Sequence, residues 1–429
     1  MKNEFQINQK YAGLYETWTK ETGVPTNEKA LENFLAKRFP TLKDEEWRFT
    51  NVSPILKKDF TPATGKEKFG GDFHSAKNEN LFGEDYYLLV IENGYANAEL
   101  SNTSGLPNGA IISGLKEAKE KYSDIVEKYI GKAAKNKSAF DLLNNLFGID
   151  GAFIYVPDGV ILDKPVQVLF LSGNEKSLMI SPRNLIVAEK NSDAKIIFTY
   201  AGKGEYFLNY RTEVFAGENA SLQLYEFEAE SETSYHLGST SNALAENSNF
   251  AHYTFDLEGK FIRNDLNAEL NGENIECRFY GFYIGKDERL IDNHTFINHN
   301  KPNCFSDEIY KGILDENSKA VFSGKIFVEK DAQKTNAYQS NKTILLSDNA
   351  RIDTKPQLEI YADDVVCTHG ATVGQLDKEM MFYIISRGIP QDKAQTMLIK
   401  AFAADVLDKI KIEELGDFVN SKILDALEK

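Results

Sequence analysis

One short pattern between Asn191 and Cys277 restricts the fold more than any other feature of the chain. It is a polar corner holding an asparagine, then a short run of alternating apolar positions. Its copies are Asn191-Ser192-Asp193-Ala194-Lys195-Ile196, Asn219-Ala220-Ser221-Leu222-Gln223-Leu224, Asn247-Ser248-Asn249-Phe250 and Asn274-Ile275-Glu276-Cys277, and their asparagines fall 28, 28 and 27 residues apart. Asn317-Ser318-Lys319-Ala320-Val321 and Asn349-Ala350-Arg351-Ile352 fit the series less regularly. A period of roughly 20–50 residues built from short strands and turns points to a stacked solenoid, in which each coil leaves apolar surface that only its neighbours can cover. An antiparallel sandwich or barrel with regular turns is the alternative that periodicity alone leaves open.

The surrounding texture divides the chain in three. Residues 1–150 read as mainly helical. Thr26-Asn27-Glu28 is a candidate N-cap region for a helix carrying Ala30, Leu31, Phe34 and Leu35, ended near Pro40, and further helices are expected over 115–132 and 139–146. Residues 85–100 alternate like one or two strands. Residues 151–374 are short β-branched and aromatic runs punctuated by Gly, Asn and Asp, which is the strand signature. Residues 375–429 return to helical spacing. Asp377 caps a stretch with Met380, Met381, Phe382, Ile384 and Ile385. A second stripe carries Ala394, Met397, Leu398, Ala401 and Phe402, and a third carries Leu415, Phe418, Val419, Ile423, Ala426 and Leu427.

Composition narrows the function classes. Lys and Arg number 49 against 65 Asp and Glu, a formal charge of −16. Such a chain is a poor general binder of nucleic acid or of an anionic membrane. No run approaches the 18 or so apolar residues of a membrane span, and the polar start Met1-Lys2-Asn3-Glu4-Phe5 lacks the features of a secretory signal. Three cysteines, Cys277, Cys304 and Cys367, make no disulfide framework. The expected setting is a reducing cytoplasm.

No G-x-x-x-x-G-K-[ST], G-x-G-x-x-G, G-x-S-x-G, H-E-x-x-H or C-x-x-C occurs. Any ATP-driven work therefore draws its hydrolysis from another chain. The densest chemical candidate is Asp363-Asp364-Val365-Val366-Cys367-Thr368-His369-Gly370. In an extended strand Cys367 and His369 share a face. They suit zinc, iron or copper, or a nucleophile–base pair, yet two donors fall short of a closed four-ligand site. A small core thiol beside a hydrogen-bonded histidine is the plain alternative. Cys277, Cys304, His294 and His299 read as structural, and Trp47 as a packing anchor for the N-terminal helices.

Five stretches taken together resemble the SufB/SufD superfamily of the SUF iron–sulfur cluster assembly machinery. They are Asp44–Thr50, Asp150–Pro157, Tyr310–Asp315, Asp331–Lys342 and Cys367–Gly374. The helical start and the length favour the SufD side over SufB. The resemblance implies a right-handed parallel β-helix with helical flanks, in a non-catalytic scaffold subunit. It implies pairing with a SufB-like paralogue, with a homodimer as an option for the isolated chain. It also implies that the helices after Asp377 dock the SufC ATPase, with Met381, Ile385, Met397, Leu398 and Phe402 as docking candidates. His369 and, second to it, Cys367 would be ligands of a transient iron–sulfur cluster shared with SufB, and this chain would bind no nucleotide. Two rival readings stay open from the residues: a β-helix polysaccharide lyase or hydrolase, and a structural solenoid.

Overall fold

In the computed structural model, which describes residues 2–83, 85–134 and 138–428 and the side chains of 6–425 within them, the asparagine corners show their purpose. Asn191, Asn219, Asn247 and Asn274 adopt φ of 57°, 58°, 56° and 58°. This is the left-handed region that Asn tolerates far better than branched residues do. Each corner carries the chain from one sheet to the other. The Asn191, Asn219 and Asn247 backbone N–H groups donate to the carbonyls of Glu218, Glu246 and Glu273 at 2.9, 3.0 and 2.9 Å. Asn219 Nδ2 also donates to Asn191 Oδ1 at 3.0 Å, and Asn274 Nδ2 to Asn247 Oδ1 at 3.1 Å. The series continues at Asn303 and Lys334, with φ of 61° and 59°. Asn317 and Asn349 do not extend it. They lie on the opposite edge, where the chain returns to the other sheet, and there Glu316 takes the left-handed conformation.

The result is a parallel solenoid of about eight turns. Successive strands alternate between an 11-stranded sheet, here sheet A, and a 10-stranded sheet B. Tyr206–Ala216 lies parallel to Tyr235–Leu244 in sheet A, and Ser221–Ala229 to Asn249–Asp256 in sheet B. The parallel register excludes the antiparallel alternative.

Over the middle coils both faces of each sheet are covered, and strands such as Tyr206–Ala216 bury nearly every residue, whereas Asn336–Leu345 near the end alternates between buried and exposed positions. Inward side chains such as Ile196, Leu224, Phe250, Phe279 and Phe322 form the interior. The outer face of sheet A packs Phe207, Tyr235, Leu237 and Phe261 against Trp18, Phe34, Trp47 and Phe140 of the N-terminal region. Trp47 is buried, with its ring centroid 3.7 Å from the Arg263 guanidinium and 5.6 Å from the Phe140 ring. The outer face of sheet B packs Tyr225, Phe227, Tyr253 and Phe255 against Ile399, Val406, Leu415 and Val419 of the C-terminal helices.

The helical expectations need adjustment in detail. A helix Lys2–Thr22, burying Tyr11, Tyr15 and Trp18, precedes the one that Asn27 caps, Glu28–Ala36. The latter stops short of Pro40 because Lys37 is already extended. The stretch 115–132 forms two helices, Leu115–Lys121 and Ser123–Tyr129, broken where Tyr122 leaves helical backbone. The C-terminal helices are Lys378–Ser386, Gln391–Leu407 and Glu413–Glu428. The buried stripe of the second is Ala394, Ile399, Ala403, Val406 and Leu407, with Leu398 and Phe402 half-buried at its edge and Met397 and Ala401 exposed. Lys311 fastens this helix to the sheet: its Nζ donates to the Phe402 carbonyl at 2.6 Å and pairs with Asp405. The side chains of Ala426 and Leu427 lie outside those described.

The two ends of the stack differ. At the start, Tyr95–Ala96 and Ile111–Gly114 pair antiparallel with Tyr87–Glu92 and Ala152–Val156 and close off the first coil. At the other end Arg351–Ile360 and Val366–Gly374 are the terminal strands of sheets A and B. Among the described residues no helix is long and apolar enough to cross a membrane.

Asn219→Ala should lower stability by about 1–2 kcal/mol, combining left-handed backbone strain with a lost side-chain bond, and Asn219→Gly by less. Denaturant unfolding of the two variants checks this. Equal losses would mean that the conformation is not what selects Asn.

Candidate functional site

The open end of the solenoid collects the chemistry. On sheet B one inward row runs from coil to coil through Leu224, His252, Phe279, Glu308, Gln339 and His369. A parallel row runs through Phe250, Cys277, Ser306, Ala337 and Cys367. Cys367 and His369 therefore share the inward face of the last strand, as their spacing predicts, and both stand on its rim because no further coil covers them. His369 is exposed. Cys367 is half-buried against Ile326, Val328 and Ala337, and burial pushes its thiol up, so it rests protonated. Among the described residues no group of three or more His, Cys, Asp or Glu is placed to hold a metal ion. Two donors are what this end of the chain offers.

Beneath the rim the row is polar and built. Glu308 is fully buried, and its Oε2 accepts from Gln339 Nε2 at 2.7 Å. Desolvation pushes the Glu308 carboxyl up to about 7. Neither residue stands out in the sequence. The signal that would have found them is their inward phase, two residues before the buried Tyr310 and two before the buried Asn341. The rim mixes exposed Tyr361, Val366 and Val373 with exposed polar residues such as Asp363, Asp364, Thr368 and Thr372.

Next to this end stands the helix Lys378–Ser386, which buries no residue. Phe382 is 74% exposed, and Met380, Tyr383, Ile385 and Met397 are also exposed. Of the docking candidates, Met381, Leu398 and Phe402 are partly buried. Leu398 and Phe402 line a groove of about 330 Å³ between the helices and the strand ends at Ile344 and Val373. The structure thus brings the docking candidates onto one helical surface beside the rim.

The remaining cysteines and histidines lie elsewhere. Cys277 is buried in the interior and its thiol is raised by desolvation. Cys304 is buried and donates to the Gly272 carbonyl at 3.3 Å. His299 Nε2 lies 2.9 Å from Ser306 Oγ, and burial pushes it down to about 4. His294 faces outward, 2.9 Å from Asp292 and 3.2 Å from Glu46, in a cleft of about 760 Å³ under the N-terminal region. The carboxylates there are engaged: Asp265 with Arg263, Glu45 with Lys355, Asp44 with Arg38 and Asp141 with Ser138.

Comparison with known proteins agrees with this geometry. Residues 170–402 match the family model described as SUF system FeS cluster assembly, SufBD core domain, and residues 6–168 match the SufBD protein N-terminal region. An iron–sulfur cluster assembly SufBD family protein of Synechocystis is 33% identical over 88% of this chain and 85% of its own length. The iron–sulfur cluster assembly protein SufD of Escherichia coli is 29% identical over 99% and 97%, and SufD of Bacillus subtilis is 26% identical over 92% and 91%.

The raised Glu308 carboxyl has a stability consequence. The folded state holds its proton beyond the ordinary value of 4.5, so stability present at pH 4.5 is lost as pH rises through about 7. Relative to Glu308→Gln, the wild type should lose a few kcal/mol across that window, at roughly 1.4 kcal/mol for each tenfold difference in proton affinity between the folded and unfolded chain. Paired unfolding curves between pH 4 and 8 measure the difference, and a flat difference would remove Glu308 as the source.

Proposed function

This chain belongs to the SufBD family of iron–sulfur cluster assembly proteins, and from that premise we propose that it works as a non-catalytic scaffold subunit in a complex. The single observation that carries the reading is the uncapped last coil. Both sheets end in strands with a free edge, and Cys367 and His369 face the unfinished interior.

A second solenoid of the same period satisfies such an end, because it continues the ladders and covers the exposed last coil. A SufB-like paralogue is that partner. A second copy of this chain takes its place when the paralogue is absent. The cluster is cargo rather than a resident group. His369 offers a neutral imidazole, and Cys367 becomes a donor only on losing its proton. Other ligands come from across the seam. A cluster divided between two chains is easily released, which suits a scaffold that passes its product on.

The helices after Asp377 are the handle. Met381, Ile385, Met397, Leu398 and Phe402, with the more exposed Met380, Phe382 and Tyr383, form a surface for the SufC ATPase. The chain has no phosphate-binding loop, so ATP hydrolysis belongs to that partner. Lys311 gives the handle a rigid link, since it ties Gln391–Leu407 to the strand Phe305–Leu314, which also carries Glu308. Dimerisation of the ATPase would then pull on the seam and open it. A reducing cytoplasm suits a chain with free thiols working on iron and sulfide.

Replacing His369 by Ala removes an exposed side chain, so fold and pairing should persist while cluster yield falls in the reconstituted complex, read by visible absorption. An undiminished cluster would end the ligand role. Phe382→Asp should weaken ATPase binding at least tenfold, the size of a modest interface hot spot at about 1.4 kcal/mol or more. Unchanged affinity in calorimetry would show that the partner docks elsewhere.

A further inference from the structure

The row under His369 contains a device that two donors on a rim do not require. Gln339 is buried, its Nε2 is committed to Glu308 at 2.7 Å, and its Oε1 has no hydrogen-bond partner. That bond commits the amide nitrogen to the Glu308 carboxyl and leaves the amide oxygen turned away from it. Space for this amide is provided from the opposite sheet by Gly324, where a Cβ would lie 2.3 Å from Gln339 Nε2. Any larger residue at 324 would displace the amide. The site is therefore shaped around an oriented acceptor that no described residue uses. The next side chain in the same inward row, one strand spacing of about 4.8 Å further out, is His369.

A histidine that binds a metal through one ring nitrogen nearly always donates the N–H of the other to an acceptor, which fixes the tautomer and ring direction. We propose that Gln339, held by Glu308 and Gly324, is the positioning residue for His369, accepting one ring N–H through its amide oxygen so that the lone pair of the other nitrogen points out of the open end. This rests on His369 being a cluster ligand, and it adds what that reading lacks: a reason for a buried amide and acid beneath an exposed histidine. Gln339 touches no cargo in this scheme. It acts through His369.

The test uses the complete complex reconstituted with Fe²⁺ and sulfide and with ¹⁵N-labelled histidine. Gln339→Met keeps the shape and removes the acceptor. Glu308→Leu/Gln339→Met removes both polar groups and leaves no buried orphan charge, so it covers the case in which the single variant fails to fold. With subunit stoichiometry unchanged, these variants should surrender the cluster to a chelator ~10–100-fold faster, and the ¹⁵N hyperfine coupling of the remote ring nitrogen in the reduced cluster should change. Wild-type release rates together with unchanged couplings would overturn the assignment. His369→Ala in parallel separates the two ideas. If histidine coupling is present in the wild type, lost in His369→Ala and indifferent to residue 339, the positioning role alone falls. If His369→Ala retains the wild-type coupling, the ligand reading falls and takes the positioning role with it.

Discussion

Every coil of this molecule depends on its neighbours for backbone hydrogen bonds. The strands of one turn pair only with the strands of the turns before and after, and a buried peptide group left unpaired costs far more than a paired one gains. A stack built this way is stable in its middle and vulnerable at its ends. The beginning is closed by short antiparallel strands and a cap of helices. The other end is left as two bare edges whose last strand is exposed along most of its length. The placement of the cysteine, the histidine and the exposed helix beside that one unfinished end is why the molecule reads as part of a larger assembly.

The interior departs from a plain apolar core. Glu226, Glu228, Glu230, His236, His252, Asp256 and Glu308 are all buried in it. His236 Nδ1 lies 2.6 Å from Glu230, which also accepts from Tyr206 at 2.8 Å. Asn264 donates to Glu228 and Asp256 at 2.9 and 3.1 Å. Desolvation raises Glu228 and Asp256 and so favours their neutral forms. Such networks tolerate no slip, since a one-residue shift would turn each of these groups to the outer face. Nearer the open end, Glu308 continues this polar interior through its bond to Gln339.

Much of this is legible in the sequence, and the reasons are local. Asn191, Asn219, Asn247 and Asn274 announce themselves because few residues accept φ near +57°. Strand alternation puts Cys367 and His369 on one face without knowledge of any neighbour. The rotation of Gln391–Leu407 is not legible. Its apolar residues surround more than one face, and the partners that choose between them, sheet B and Lys311, lie some ninety or more residues away in sequence. Glu308 and Gln339 are likewise silent, since a buried acid and amide look like surface residues until their phase against the interior is known.

The amino-acid sequence by itself determined the period, the alternation and the change from helix to coil to helix, because each of these follows from backbone preferences over a few residues. Only the tertiary structure decided which edge each corner occupies, that the stack stops without a lid, and which acceptor stands under His369. Those outcomes depend on register between strands about thirty residues apart, and register is set by packing and hydrogen bonding across the stack, which no short segment contains.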